Sequence, residues 1–372
     1  MAEKLRIAMF GHKRIPSREG GVEVVVEELS TRMSALGHSV TCYNRSGHHV
    51  SGKAYDGSNA RSLKGVRIKK VPTLDKKGLA ALTSSFFASL ACAFGRYDAV
   101  HIHAEGPAAM CLIPKLTGKK VVVTVHGLDW ARAKWGGAAS AYIKFGEKQA
   151  VRYADHIIVL SRDVKDYFME TYGRKTIFIP NGATRPEKRE PDLIRQWGLE
   201  KGSYVLFLGR IVPEKGISYL INAWKGISTD KKLVITGGSS DTEDYMNELK
   251  RLAGDNVIFT GFQQGKVLDE LYSNCYVYCL PSDLEGMPLS LLEAMSYGCC
   301  CLVSDIPECT EVVGDKAAVF KKGSIDDLRE KLCALIENEE LAESYRKGAA
   351  DYILKKYDWD RITRKTLSLY TK

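Results

Sequence analysis

Residues 5–44 read LRIAMFGHKRIPSREGGVEVVVEELSTRMSALGHSVTCYN, and this stretch decides the fold. LRIAMF is apolar along nearly its whole length, which is how a strand covered on both faces reads. A glycine-bearing turn, SREGGVE, follows and opens a helical run, VEVVVEELSTRMSALG. Gly37 sits where a C′ glycine ends a helix. SVTCYN is then a second strand. Strand, helix and strand in 40 residues form a crossover unit, and crossovers join parallel strands.

The pattern repeats along the chain. YDAVHIHA, KKVVVTVHG, ADHIIVLS and KTIFIPNG are further strands, with helical patterns between most of them. It pauses at NGATRPEKREPDLIRQWGLEKG, which is polar, has two prolines, and reads as a linker with a short helix. It then resumes with SYVLFLGR, KKLVITGG, DNVIFTGF, CYVYCLPS and CCCLVSD. The expectation is an α/β protein of two doubly wound, Rossmann-like domains. The domains are placed at 1–180 and 202–350, with a linker at 181–201. A C-terminal helical segment, 351–372, is expected to cross back toward the N-terminal domain. Open α/β sheets bind ligands beyond the carboxyl ends of their strands, so two facing sheets would place a site in the cleft between them.

Composition agrees with two globular domains. The 372 residues exceed one ordinary core, and 45% hydrophobic with 27% charged residues is typical of a globular chain. The start, MAEKLRIAMF, lacks a secretory apolar region. Ten cysteines show neither metal spacing nor a disulfide framework. Cys299–Cys301 lie in an apolar run where thiols act as small hydrophobes, and a reduced cytoplasm is the expected compartment. The net charge is +9, and the basic segment KGVRIKKVPTLDKKG (64–78) leads into the apolar run GLAALTSSFFASLACAF (78–94). Such a pair suits an anionic membrane face, and equally a solvated loop beside a core helix. No nucleic-acid motif accompanies the charge, so nucleic acid is not an expected partner.

Two loops carry chemistry. In LGRIVPEKG (208–216) a strand ends at Gly209, and Arg210 and Lys215 follow within one loop. Arg engages phosphate oxygens bidentately and Lys acts as a point charge, so the pair can clamp a diphosphate. An ordinary charged surface loop has the same residues. In DLEGMPLSLLEAMSYG (283–298), Pro288 suits the first helical position, leaving the amides of Leu289 and Ser290 free to receive an anion. Glu285 precedes that helix and Glu293 lies within it. Carboxylates on either side of an anion site suit a nucleotide sugar, whose phosphates lie between hydroxyl-bearing groups. Glu285 also fits a residue that merely favours the helix dipole.

These motifs together resemble the retaining glycosyltransferases of family 4, which have the two-domain GT-B fold. The likeness covers nearly the whole chain. Glu285 and Glu293 fit the family's paired glutamates, seven residues intervening. GR at 209–210 and EKG at 214–216 fit its phosphate loop, and REGGVEVVVEEL resembles its first glycine-rich loop. HGLDWARAKWG and YADHIIVLSRDVKDYF resemble a subset of bacterial rhamnosyl- and other polysaccharide-assembly transferases.

The resemblance implies roles. Arg210 and Lys215 would bind the donor diphosphate, Glu285 the donor sugar and Glu293 the ribose. Gly209, Gly286, Met287, Leu289 and Ser290 would lie along the sugar and phosphates. Gly20 and Gly21 would let the first-domain backbone approach the phosphates, and Gly261 and Phe262 would meet the base. His126 would face the donor sugar. Glu105, Trp130, Arg132 and Lys134 are acceptor candidates. No metal and no cofactor beyond the nucleotide sugar is expected. A UDP-sugar leads, with dTDP- and GDP-sugars as alternatives. The expected reaction moves a hexose-type sugar, with retention, to a glycan or polyprenyl-linked acceptor in surface polysaccharide synthesis, at the cytoplasmic face of a membrane. The competing readings are a soluble transferase acting on a small acceptor and an inactive carbohydrate-binding protein on the same fold. The intact Arg210, Lys215, Glu285 and Glu293 argue against the last.

Overall fold

A computed structural model describes residues 4–46, 60–74, 76, 78–131, 136–238 and 243–371. The chain divides into two compact units, Met1–Asn181 with Trp359–Lys372, and Gly182–Asp358.

The first unit is built on eight strands. They are β1 (Arg6–Phe10), β2 (Ser39–Arg45), β3 (Ser62–Leu63), β4 (Val66–Val71), β5 (Ala99–His103), β6 (Lys120–Val125), β7 (His156–Val159) and β8 (Ile177–Phe178). Their order across the sheet is β3-β4-β2-β1-β5-β6-β7-β8, parallel except for β3 against β4. Ile7, Ala8, Met9 and Phe10 of β1 are at most 1% exposed, which is why that strand alternates so little. Burying each of the larger ones contributes about 1.5–3 kcal/mol. The crossover helix is Gly21–Ala35, and Gly37, at φ +92°, ends it as expected, with the Gly37 amide donating to Ser34 O and the His38 amide to Met33 O. The last helix, Trp359–Leu367, belongs to this unit, where Asp360 meets Arg32 at 3.3 Å.

The second unit has six strands, all parallel: β9 (Tyr204–Leu208), β10 (Lys232–Thr236), β11 (Val257–Gly261), β12 (Val277–Leu280), β13 (Cys300–Ser304) and β14 (Ala318–Phe320). Their order is β11-β10-β9-β12-β13-β14. The direction of winding reverses between β9 and β12, and in the first unit between β1 and β5. In both units that is the switch point where an α/β sheet opens a crevice.

The polar stretch after residue 181 is pinned to the second unit. Glu270 accepts the amides of Asp192 (3.0 Å) and Ile194 (3.1 Å), and Ile194 is fully buried. The helix Ala349–Lys356 also stays with this unit, and the chain leaves it after Asp358. All ten cysteines are free thiols, with Cys300 and Cys301 fully buried in β13. Among the described residues no helix is long and apolar enough to cross a membrane.

Candidate functional site

In the second unit the switch point gathers the predicted residues. β9 runs into Gly209, whose amide donates to Thr236 O at the end of β10. A Cβ on Gly237 would stand 1.8 Å from Gly209 O, so these two strand ends touch through backbone alone. The loop after Gly209 carries partly buried Arg210, makes one tight turn at Pro213–Lys215, and ends at Gly216 with φ +64°. A Cβ there would lie 2.0 Å from Pro281 O, so Gly216 is what lets this loop meet the loop after β12.

That meeting sets the main contact of the site. Lys215 Nζ donates to Glu285 Oε1 at 2.5 Å, the side chains being 12% and 8% exposed. Ser282 Oγ donates to the same oxygen at 2.7 Å, and Ser304 Oγ donates to Ser282 O. Tyr219 OH donates to Asp283 Oδ2 (2.9 Å), and the Asp283 amide to Glu214 O (2.9 Å), tying the two loops together. The Glu214 carboxylate is buried.

The helix that follows is Leu289–Tyr297. Pro288 is not its first residue, as the sequence suggested, but its cap. Its φ of −74° suits a helix, but its ψ of 103° is extended, and its carbonyl accepts the amides of Leu291 and Leu292. The amides of Leu289 and Ser290 head the helix, and no side chain caps it. That end carries the positive pole of the helix dipole. Gly286 and Met287, just before it, are buried. Glu293, on the second turn, accepts Tyr272 OH at 3.1 Å, and Tyr278 OH bonds Ser290 Oγ at 2.8 Å. Burial holds both phenols well above their ordinary value, so they stay neutral. Gly261 ends β11 at φ +70°, and Phe262 follows it, packed beside Gly238.

In the first unit the sheet brings three histidines together. Gly11, at φ +108°, follows β1, and a Cβ there would lie 2.1 Å from His103 O. His101 and His103 are two apart on β5 and point to one face, with ring centroids 4.1 Å apart. His103 Nδ1 lies 3.1 Å from Nε2 of His126, which follows β6. His101 bonds Tyr370 OH (2.6 Å) and Thr124 Oγ1 (2.7 Å). Burial pushes His101 down to about 3 and His103 well below its ordinary value. His12, bonded to Asn44 Oδ1 at 3.0 Å, is pushed down to about 4, chiefly by burial.

The other predicted residues of this unit divide. Gly20 precedes the helix and Gly21 is its first residue. The space over Gly20 is filled by Glu23, whose Oε2 would be 2.6 Å from a Cβ there, while Oε1 accepts the Lys13 amide at 2.8 Å. Glu105, an acceptor candidate, is buried. It is 1% exposed, and its Oε2 accepts the Asp129 amide at 2.8 Å. Burial, with Glu147 nearby, raises it well above the ordinary carboxyl range. The Trp130 indole donates to Glu147 Oε2 (3.2 Å), and Lys144 Nζ stands 4.2 Å from its ring centroid. Glu147 also accepts Tyr167 OH (2.9 Å) and Tyr172 OH, so Trp130 is partly held by a buried carboxylate. Arg132 and Lys134 lie outside the described residues.

Several contributors escaped the sequence reading. Ser282 stands three residues before Glu285, a spacing at which a serine hydroxyl and a carboxylate meet in a turn. The alternation in HIH announces two imidazoles on one face. Tyr272 and Tyr278 had no local signal, because the sheet and its helices bring them to Glu293 and Ser290.

Comparisons with known proteins agree with this architecture. The family model Glycosyltransferase Family 4 matches residues 19–184, and the model Glycosyl transferases group 1 matches residues 190–352. The alpha-maltose-1-phosphate synthase of Mycolicibacterium smegmatis is 25% identical over 406 aligned residues, covering 99% of each chain. A Campylobacter jejuni N,N'-diacetylbacillosaminyl-diphospho-undecaprenol alpha-1,3-N-acetylgalactosaminyltransferase is 30% identical over 176 residues, 47% of this chain and 46% of that one. The Anabaena HepE structure, in complex with UDP and glucose, superposes with a TM-score of 0.82 at 16% identity, covering 98% of each chain. With one family model on each unit and the Rossmann-like strand orders above, the chain is a family 4-like glycosyltransferase on the GT-B fold.

Proposed function

We propose that this protein is a retaining glycosyltransferase that moves a hexose-type sugar from a nucleoside diphosphate to a glycan or polyprenyl-linked acceptor, in the manner of the polysaccharide-assembly subset. The observation that carries the reading is the contact of Lys215 with Glu285 at the switch point, with Glu293 on the second turn of the helix that follows that loop. Cations, helix amides and two carboxylates stand at the end of one sheet, which is the set a nucleotide sugar requires.

The chemistry follows from where charge develops. As the glycosidic bond breaks, the leaving diphosphate gains negative charge and the anomeric carbon gains positive charge. Lys215, Arg210 and the amides of Leu289 and Ser290 are assigned to the diphosphate, where fixed positive groups stabilise the transition state more than the ground state. Gly209, Gly286 and Met287 lie beside it, and their backbone bounds the space for sugar and phosphate. Glu285 is assigned to the sugar hydroxyls, Glu293 to the ribose, and Gly261 and Phe262 to the base. Binding then exchanges partners: Lys215 turns from Glu285 to phosphate, and Glu285 from Lys215 to hydroxyls. Gly20, Gly21 and His126 of the first unit are assigned to the donor's phosphates and sugar. Retention needs no second carboxylate flanking the bond, because the leaving phosphate takes the acceptor's proton on the face it departs from.

HepE, whose structure holds UDP and glucose, supports a UDP-sugar as the first donor to try. The name of the Campylobacter enzyme supports a lipid-linked acceptor. A membrane face is assigned to the helix Leu79–Phe94. That helix has no charged residue, and its Phe86, Phe87 and Phe94 are 42%, 41% and 86% exposed. Lys69 and Lys70 are exposed on β4. Anionic head groups fit lysines beside exposed phenylalanines. The full-length likeness to a maltose-phosphate synthase favours, as second reading, a small phosphorylated acceptor.

Transfer from labelled UDP-, dTDP- and GDP-sugars, with lipid-linked and small phosphorylated acceptors, tests the proposal. Activity should fall by about 10²–10³ in Arg210→Ala and Lys215→Ala. Undiminished transfer in both variants would remove the site assignment.

A further inference from the structure

We propose that His103 is a positioning residue that holds neutral His126 as the tautomer with its proton on Nδ1, so that His126 presents a hydrogen-bond donor there and not a base. What that donor meets rests on the glycosyltransferase reading above; the tautomer does not.

A neutral imidazole has one N–H donor and one bare acceptor nitrogen. Across the 3.1 Å between His103 Nδ1 and His126 Nε2, one nitrogen carries the hydrogen and the other receives it. The second ring nitrogen of His103, Nε2, is buried and has no hydrogen-bond partner among the described residues. This makes the two arrangements unequal. If His126 Nε2–H donated, the His103 proton would sit on Nε2 as a buried N–H with nothing to receive it. If His103 Nδ1–H donates, the lone Nε2 is only an unused acceptor. Orphaned buried donors are the rarer case in proteins, and leaving one costs its full desolvation.

The surroundings exclude the third arrangement, a charged His103. His103 is fully buried, with His101 against one face and His126 beside it, and His12 close enough to act on it. His101 is satisfied by Tyr370 OH and Thr124 Oγ1, hydroxyls that can each donate or accept. Burial, with the imidazoles of His101, His126 and His12 nearby, holds His103 well below its ordinary value. His103 is therefore neutral with its proton on Nδ1, and His126 Nε2 is the acceptor. The proton of neutral His126 then belongs on Nδ1, opposite to the preference of a free histidine side chain, where it favours Nε2. Under the glycosyltransferase reading, this tautomer fixes which side of the His126 ring can donate a hydrogen bond during transfer.

The test is ring-nitrogen NMR on the full chain, labelled with ¹⁵N-histidine, without any substrate. The expected spectrum shows His126 with a protonated Nδ1 and a bare Nε2, and His103 likewise. A His126 protonated on Nε2, or an imidazolium at His103 near neutral pH, overturns the proposal. His103→Asn keeps a donor near His126 Nε2, and His103→Leu removes it. The Leu variant should return His126 to the Nε2–H form and lower kcat roughly five- to tenfold at little change in KM, about the worth of one hydrogen bond, with Asn restoring most of the loss. A Leu variant that keeps the Nδ1–H signature shows that His103 does not set it. If the Leu variant does not fold, the wild-type spectrum decides alone. A correct tautomer in a protein that transfers no sugar would leave this inference standing and remove the functional reading.

Discussion

Lys215 and Glu285 make a nine-tenths buried ion pair at a site where both groups are assigned to a ligand, and this gives a sharp expectation for their removal. Taking one partner from a buried pair costs about 3–5 kcal/mol, because the other charge stays behind desolvated. Here the side chains keep 12% and 8% exposure, and Ser282 still donates to residue 285, so about 2–3 kcal/mol is expected for Lys215→Met and for Glu285→Gln. A domain of this size loses about 2–4 °C of Tm per kcal/mol, so each single variant should unfold about 5–10 °C lower. The double variant has no stranded charge. It should lie within about 1 kcal/mol of wild type, a coupling of about 3–7 kcal/mol. Activity should not recover with stability, since both ligand groups are gone. The assay is thermal unfolding of the four proteins beside sugar transfer by each. A double variant as destabilised as the sum of the singles would refute the reasoning, and so would one that regained transfer.

Three further outcomes follow. Gly216→Ala should cost more than about 2 kcal/mol and abolish transfer, because a Cβ there would lie 2.0 Å from Pro281 O at a φ of +64°; a denaturant midpoint within 0.5 kcal/mol of wild type, roughly the scatter of harmless substitutions, would contradict this. Mild acid should open the first unit before the second: all eight histidines precede residue 182, and burial holds His12 at about 4 and His101 at about 3. The unfolded chain takes up protons that these folded rings refuse, so the rings' contribution to stability is full above about pH 6.5 and falls by about 1.4 kcal/mol per pH unit per histidine below it. Glu105 acts in the opposite sense: its raised folded value means stability is lost as pH rises past the ordinary carboxyl range, and Glu105→Gln should remove that slope. Hydrogen exchange at pH 7 and 5 resolves the units, and earlier opening of the second would be the wrong result. Finally, flotation with anionic vesicles should fall on replacing Phe86, Phe87 and Phe94 by serine and on adding salt, whereas equal binding by that variant would take the membrane face away from this helix.

The parts of the molecule legible in the sequence were those fixed by local periodicity. β1 and β9 are so completely buried that their apolar runs could scarcely be read otherwise, and Gly37 ended its helix where the pattern said. The meeting of Lys215 with Glu285 was not legible from residues 70 positions apart; the family resemblance suggested a shared role, and the backbone contact at Gly216 supplies the physical reason. Pro288 misled slightly, because proline fixes φ and leaves ψ free, so it serves as a cap here and not as the first helical residue. Glu105 misled more. A carboxylate after HIHA looks exposed in sequence, but Gly146 lets its helix pack against Glu105 O, where a Cβ would stand 2.0 Å away, and Glu105 is buried. The histidine cluster was half visible: the HIH alternation put two rings on one face, but only the pairing of β5 with β6 brings His126 to them.

The most direct test of the central claim is a thermal-shift panel of UDP-, dTDP- and GDP-sugars against the wild-type chain and Lys215→Ala. A ligand that binds the native state alone stabilises it by about 2.7 kcal/mol at a hundred times its Kd. The account predicts that one nucleotide sugar, UDP-linked first among them, raises the wild-type midpoint by several degrees and leaves Lys215→Ala unmoved. No shift with any nucleotide sugar, or an equal shift in the variant, would contradict it.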